Sequence, residues 1–122
     1  MFEIKYEHEK NGTLYVGLIS GGTEAAKAVW SNSKGGAADP PREVSLDEDT
    51  FSLLWNGISE VAVITSHIVK AKKEAAAADL TANHRISATM KEGKSTTWTF
   101  IVPVADESDP EFAKWLAALK IS

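Results

Sequence analysis

The sequence predicts an α+β domain, a mostly antiparallel sheet of four to five strands with two amphipathic helices packed on one face. Three observations carry that reading. Two segments alternate apolar and polar residues on either side of a glycine-containing turn, the pattern of half-buried hairpins. Two others set large apolar residues at i, i+3, i+4 and i+7 behind a capping residue, the pattern of a helix with one buried stripe. The 122 residues, 43% hydrophobic and 25% charged, suit a single domain over 1–122 with a packed core.

The first strand puts Phe2, Ile4, Tyr6 and His8 on one side and Glu3, Lys5, Glu7 and Glu9 on the other, so one face is wet. After Lys10-Asn11-Gly12-Thr13 the chain returns through Leu14-Tyr15-Val16-Gly17-Leu18-Ile19. Loop length decides which side chains share a face. A two-residue Asn11-Gly12 turn sets Leu14, Val16 and Leu18 opposite Glu9, Glu7 and Lys5 and forgoes their burial. A three-residue loop with a left-handed Gly12 pairs Leu14 with His8, Val16 with Tyr6 and Leu18 with Ile4, and this is the register expected. The second hairpin, around Lys91-Glu92-Gly93-Lys94, repeats the choice. There a three-residue loop sets Ile86 against Trp98 and His84 against Phe100, gathering the large side chains on one face.

A third strand is expected at about 25–31, with Ala26, Ala28 and Trp30 on one face and Lys27, Val29 and Ser31 on the other. The segment 31–41 holds Gly35, Gly36, Pro40 and Pro41 and reads as a loop that continues neither helix nor strand. Ser45-Leu46-Asp47-Glu48 fits a capping box with Ser45 as the cap, and Phe51, Leu54, Trp55 and Ile58 form the stripe that follows. Residues 61–69 read as a strand or as an extension of this helix, because Gly57 either ends the helix or merely interrupts it. The Lys/Ala-rich segment 70–83 reads as a solvated connector. Near the C-terminus Ser108 or Asp109 caps, Pro110 takes the first helical position, and Phe112, Trp115, Leu116 and Leu119 repeat the stripe. Burying four such side chains is worth about 6–12 kcal/mol gross, against about 1 for a cap. The stripe therefore fixes where a helix docks. By the same periods Trp55, Trp98 and Trp115 take core positions.

Composition excludes several kinds of chemistry. The chain has no cysteine, which removes disulfides, thiolate metal sites and thiol catalysis. Its 13 basic and 17 acidic residues give a net charge of −4, opposite in sign to the footprint of a phosphate-neutralising protein, so no nucleic acid partner is expected. The start, Met1-Phe2-Glu3-Ile4-Lys5, is unlike a signal peptide. The longest nearly apolar stretch, 61–69, is broken by Thr65, Ser66 and His67 and is far short of the ~20 residues that span a bilayer. No membrane partner is expected, and the location expected is cytoplasmic.

No motif assigns catalysis or a cofactor. Gly21-Gly22 and Lys34-Gly35-Gly36 lack the spacing of a phosphate-binding loop, and no Gly-x-Ser-x-Gly elbow occurs. His8, His67 and His84 are the groups with near-neutral unperturbed pKa, but their spacing along the chain is not that of metal ligands. His8 and His84, near strand ends on the core face, are the acid–base candidates, and a histidine covered by aromatic neighbours is the simpler explanation of each. The acidic runs Asp47-Glu48-Asp49 and Asp106-Glu107-Ser108-Asp109 sit where helix dipoles favour negative charge.

Tyr15, Ile19, Val29 and Ile101 are expected on the uncovered face of the sheet, which would make that face more apolar than solvent requires. The preferred expectation is a small protein-interaction domain without catalysis, associating with protein and first with itself as a homodimer, through that face or an edge strand. The alternative is a small-molecule-binding or hydrolytic domain that uses His8 or His84 with a carboxylate in a pocket between sheet and helices. A third, resting on charge alone, is an inhibitor-like acidic partner of a basic protein.

Overall fold

The computed structural model describes residues 1–22, 25–65 and 79–119. Its elements in chain order are β1 (Phe2–Lys10), β2 (Thr13–Gly21), β3 (Lys27–Lys34), β4 (Ala37–Ala38), β5 (Arg42–Ser45), α1 (Glu48–Thr65), β6 (Asn83–Glu92), β7 (Lys94–Pro103), a 3-10 turn (Val104–Ser108) and α2 (Pro110–Leu119). The strands form one 7-stranded sheet in the order β4-β3-β2-β1-β6-β7, with β5 also on β3, and every pairing is antiparallel. The α+β class stands, with more strands than the four to five expected.

The additional strands come from the segment read as a loop. Residues 31–34 complete β3, and Gly35 and Gly36, both at positive φ, make a two-residue turn that sets Lys34 opposite Ala37. Glycine alone enters that region without a steric penalty at successive positions. Pro40 and Pro41 cannot donate to a ladder, and they separate β4 from β5. The two short strands share one edge of β3, β4 at its Ser33–Lys34 end and β5 along Lys27, Ala28, Val29 and Trp30.

The first hairpin takes the register that the sequence reading set aside. Lys10 pairs with Thr13, and Asn11 and Gly12 both have positive φ, 53° and 77°, so the turn has two residues. Ile4 faces Ile19, Tyr6 faces Gly17 and His8 faces Tyr15, which puts Leu14 and Ile4 on opposite faces. Burial follows from rings that cross over glycines. A Cβ on Gly17 would lie 2.7 Å from the Trp30 ring, and one on Gly21 2.9 Å from the Phe51 ring, so each glycine leaves room that a neighbouring element fills. Ile19 is accordingly core, and Tyr15 packs against the core. Neither lies on the uncovered face where it was expected.

The second hairpin keeps the expected face and shifts its register by two residues. Ile86 faces Phe100, His84 faces Val102 and Ala88 faces Trp98, so Ile86 and Trp98 do share a side. Trp98 is nevertheless 43% exposed, whereas Trp30 and Trp115 are buried and Trp55 packs at the core margin.

Both helices lie over the face formed by Ile4, Tyr6, Ile19, Trp30, Ile86 and Phe100, and their stripes join one core through Phe51, Leu54, Phe112, Trp115 and Leu119. The cap of α1 is Asp47, whose Oδ1 accepts from the Thr50 amide at 2.6 Å; Ser45, expected to cap, ends β5 instead. Asp109 caps α2, accepting from the amides of Glu111 and Phe112 just ahead of Pro110. Residues 61–65 are helical, so α1 passes through Gly57. The missing side chain there admits Trp115, whose ring would lie 2.8 Å from a Cβ and whose Nε1–H donates to the Leu54 carbonyl at 2.8 Å. Residues 66–69 and most of the 70–83 connector lie outside the described residues. Among the described residues, no helix is long and apolar enough to cross a membrane.

Candidate functional site

The antiparallel pairing of β1 with β6 places Glu7 opposite Arg85. These two form a two-pronged ion pair on the uncovered face, with bonds of 3.0 and 2.7 Å. Burial alone would raise the Glu7 carboxyl, but the hydrogen bond and charge of Arg85, with Lys5, hold it below its ordinary value. One residue after Glu7 and one before Arg85, on the covered face, come His8 and His84, with ring centroids 4.1 Å apart. The sequence reading had these two histidines on unrelated hairpins.

His84 is the hub. Its Nδ1 lies 2.6 Å from the Tyr6 hydroxyl and its Nε2 2.6 Å from Glu107 Oε1. Tyr6 precedes His8 by two residues and so shares its face. Glu107 comes from the 3-10 turn between β7 and α2, and Phe112 of α2 sets its ring edge-on to His84 with centroids 5.4 Å apart. Burial pushes the His84 pKa down to about 4, the neighbouring His8 adds to this, and Glu107 opposes both. The ring is therefore neutral at pH 7. Burial and the Glu107 charge both raise the Tyr6 pKa, so its proton stays on. Only one arrangement satisfies all three groups: the Tyr6 O–H donates to Nδ1, and Nε2–H donates to the Glu107 carboxylate.

His8 is held differently. Its Nδ1 lies 3.2 Å from the Asn83 carbonyl oxygen, an atom that only accepts, so the ring proton sits on Nδ1. The Nε2 lone pair has no hydrogen-bond partner among the described residues. His8 lines a cavity of ≈ 260 Å³ together with His84, Glu107, Tyr15 and Leu116, with Lys10 as its cationic member. At the same end of the covered face, opposite Tyr15, Asn32 carries a buried Oδ1 with no partner among the described residues. A larger cavity, ≈ 520 Å³, lies by Phe2, Phe51 and Trp55 and has Glu48 as its ionisable member. None of its described lining residues is a histidine.

Of the residues singled out from sequence, His8, His84 and Tyr15 thus meet in one pocket. Val29 and Ile101 do lie on the uncovered face, but on β3 and β7, with β2, β1 and β6 between them, so they do not form one patch. Val29 instead neighbours Leu18, beside Leu14 and Val16. His67 lies outside the described residues. Sequence reasoning missed Glu107, taken as part of a helix N-terminus, and the role of Tyr6, taken as core alone. No local signal marks either, because Tyr6 and His84 are 78 residues apart and meet only through β1–β6 pairing. No family model, no curated relative and no solved structure matches the chain.

Proposed function

We propose that the protein works through the His8–His84–Glu107 pocket, binding a small polar molecule between the sheet and α2 and exchanging a proton with it. This is the His/carboxylate alternative of the sequence reading. The observation that carries it is the pair of 2.6 Å hydrogen bonds that hold His84 between Tyr6 and Glu107. Any buried histidine must be hydrogen-bonded; what sets this one apart is the partner at its Nε2. A histidine fixed in a single tautomer and joined to a carboxylate that is 43% exposed is arranged as general acids and bases are. His8, whose Nε2 has no hydrogen-bond partner among the described residues, lines the same space. A cavity of ≈ 260 Å³ falls below the roughly 300–1,000 Å³ of drug-sized sites, so the ligand has few non-hydrogen atoms and is smaller than a nucleotide.

A fragment screen read by NMR tests this reading. Small polar fragments are expected to shift the ring resonances of His8 and His84 together with Tyr15 and Leu116, and His8→Gln is expected to remove the response. Fragments that gather instead beside Phe51 and Trp55 would refute it.

A second reading, association with protein through the uncovered face and first as a homodimer, is favoured by Leu14, Val16, Leu18 and Val29, which adjoin on β2 and β3, with Leu18 43% exposed. Sedimentation equilibrium distinguishes it. A dimer that Leu18→Glu dissociates supports it, and a monomer at millimolar concentration excludes self-association.

A further inference from the structure

We infer that His8, His84 and Glu107 form a binding site for one divalent transition-metal ion, an inference that rests on reading the same pocket as the working site. Each of the three offers a ligand atom, and these atoms all lie within 4.8 Å of one another. Two imidazoles and a carboxylate are a donor set for Zn²⁺ or its borderline neighbours. The hard ions Ca²⁺ and Mg²⁺ prefer all-oxygen cages. Three protein ligands also leave a position for a small molecule, as in catalytic rather than structural metal sites.

The surroundings of the two rings point the same way. Metal-bound histidines nearly always engage their second nitrogen with an oxygen partner, which orients the ring. Here His8 Nδ1–H donates to the Asn83 carbonyl, and His84 Nδ1 lies against the Tyr6 hydroxyl at 2.6 Å, an oxygen that takes over as acceptor when Nε2, which in the free protein donates to Glu107, turns to the ion.

Two adjustments accompany binding. Ligands about 2.0–2.1 Å from a tetrahedral ion stand roughly 3.3 Å from each other, whereas His84 Nε2 and Glu107 Oε1 are 2.6 Å apart. Glu107 must therefore withdraw by about 0.7 Å, which its half-exposed side chain, on a 3-10 turn, can do. The His84 proton must also pass from Nε2 to Nδ1, where the Tyr6 oxygen accepts it once the hydroxyl has rotated about its C–O bond. The ring stays neutral and no net proton is released. Lys10 lines the same cavity and opposes the cation, so Lys10→Gln is expected to bind the ion more tightly, by a margin that shrinks as salt rises.

Titration of the metal-free protein with Co²⁺, followed by visible absorption and by imidazole ¹⁵N shifts, tests the inference. One equivalent is expected to give a saturable d–d band that Zn²⁺ abolishes, with the Nε2 resonances of His8 and His84 shifting together. His8→Gln is expected to remove the band. Glu107→Gln, which keeps an oxygen to accept from His84 Nε2–H, should weaken binding at least tenfold. Absence of the band and of histidine shifts at excess Co²⁺ overturns the inference, as does binding that both variants leave unchanged. If polar fragments still shift His8 and His84 in that case, the pocket reading survives without the metal. If they do not, both fall.

Discussion

The covered face of the sheet fills its space by opposite means in its two halves. Along β2 and β3, glycines make room and aromatic rings occupy it, Trp30 over Gly17 and Phe51 over Gly21. Along β1 and β6, Tyr6, His84 and His8 fill comparable volume with groups that must be hydrogen-bonded to be there at all. The first half responds to volume and is indifferent to protonation. The second tolerates little loss of a partner and responds to pH. A domain whose only task was to be stable would gain by making both halves alike, since a buried polar chain is no more stabilising than well-packed hydrocarbon of the same shape. The asymmetry is what motivates the proposal that the His84 end is the working end of the protein.

The comparison breaks most visibly at Trp30. Truncation to alanine removes a buried ring from above a glycine that cannot collapse into the gap, so a loss of about 3–5 kcal/mol is expected. Urea unfolding should find that loss constant between pH 4 and 8. A loss that grew or shrank across this range would mean that the glycine half is coupled to the titrating half.

In the histidine half the largest effect is pH itself. His84 has its folded pKa pushed down to about 4 from an ordinary 6.5, so the unfolded chain binds a proton there that the folded chain refuses. Stability is therefore fully present above pH 6.5, falls as the pH drops toward 4 and is flat for this group below 4. A shift of this size corresponds to roughly 3 kcal/mol at most. Urea midpoints of the metal-free protein through that window should show the slope, and His84→Gln should flatten it. A parallel slope in the variant would assign the dependence to other groups.

Gly17→Ala sharpens the contrast with one carbon. Its Cβ would sit 2.7 Å from the Trp30 ring, and the ring, wedged over the strand, must shift. A loss of about 1–3 kcal/mol is expected, again independent of pH, and a crystal structure of the variant should show Trp30 displaced. An unchanged ring position with unchanged stability would show that the contact is slack.

How far the sequence discloses this map differs between the halves for the same physical reason. The helix stripes were legible because 3.6-residue periodicity is local, and Phe51, Leu54, Phe112, Trp115 and Leu119 are all where it puts them. The wet face of β1 and the shared face of Ile86 and Trp98 were legible from period-2 alternation. The first hairpin was misread because a face is easily scored by the bulk of its own side chains, and Gly17 and Gly21 contribute none. Their worth lies in the rings of Trp30 and Phe51, which arrive from other elements. The pocket was half legible. His8 and His84 were visible as candidates on strand ends, but their meeting depends on a β1–β6 pairing across most of the chain. Glu107 stood in an acidic run whose helix-dipole explanation fits its neighbour Asp109 and not Glu107 itself.

The smallest expected effect tests whether the polar half is a chain or a set of separate contacts. Tyr6→Phe removes one oxygen and leaves the ring among Trp30, His84 and Trp115, so the volume hardly changes. What is lost is the donor to His84 Nδ1, and a buried acceptor without a partner costs about 1–2 kcal/mol. That is the same order as adding a carbon at Gly17, although here nothing collides. Because the Glu107 carboxylate still accepts from Nε2, the His84 proton is expected to stay on Nε2, which ¹⁵N shifts of the ring report directly. If the proton moved to Nδ1 or the ring became charged at pH 7, the tautomer would be set by Tyr6 rather than Glu107. The exposed carboxylate would then no longer be the group through which the pocket reaches the buried ring.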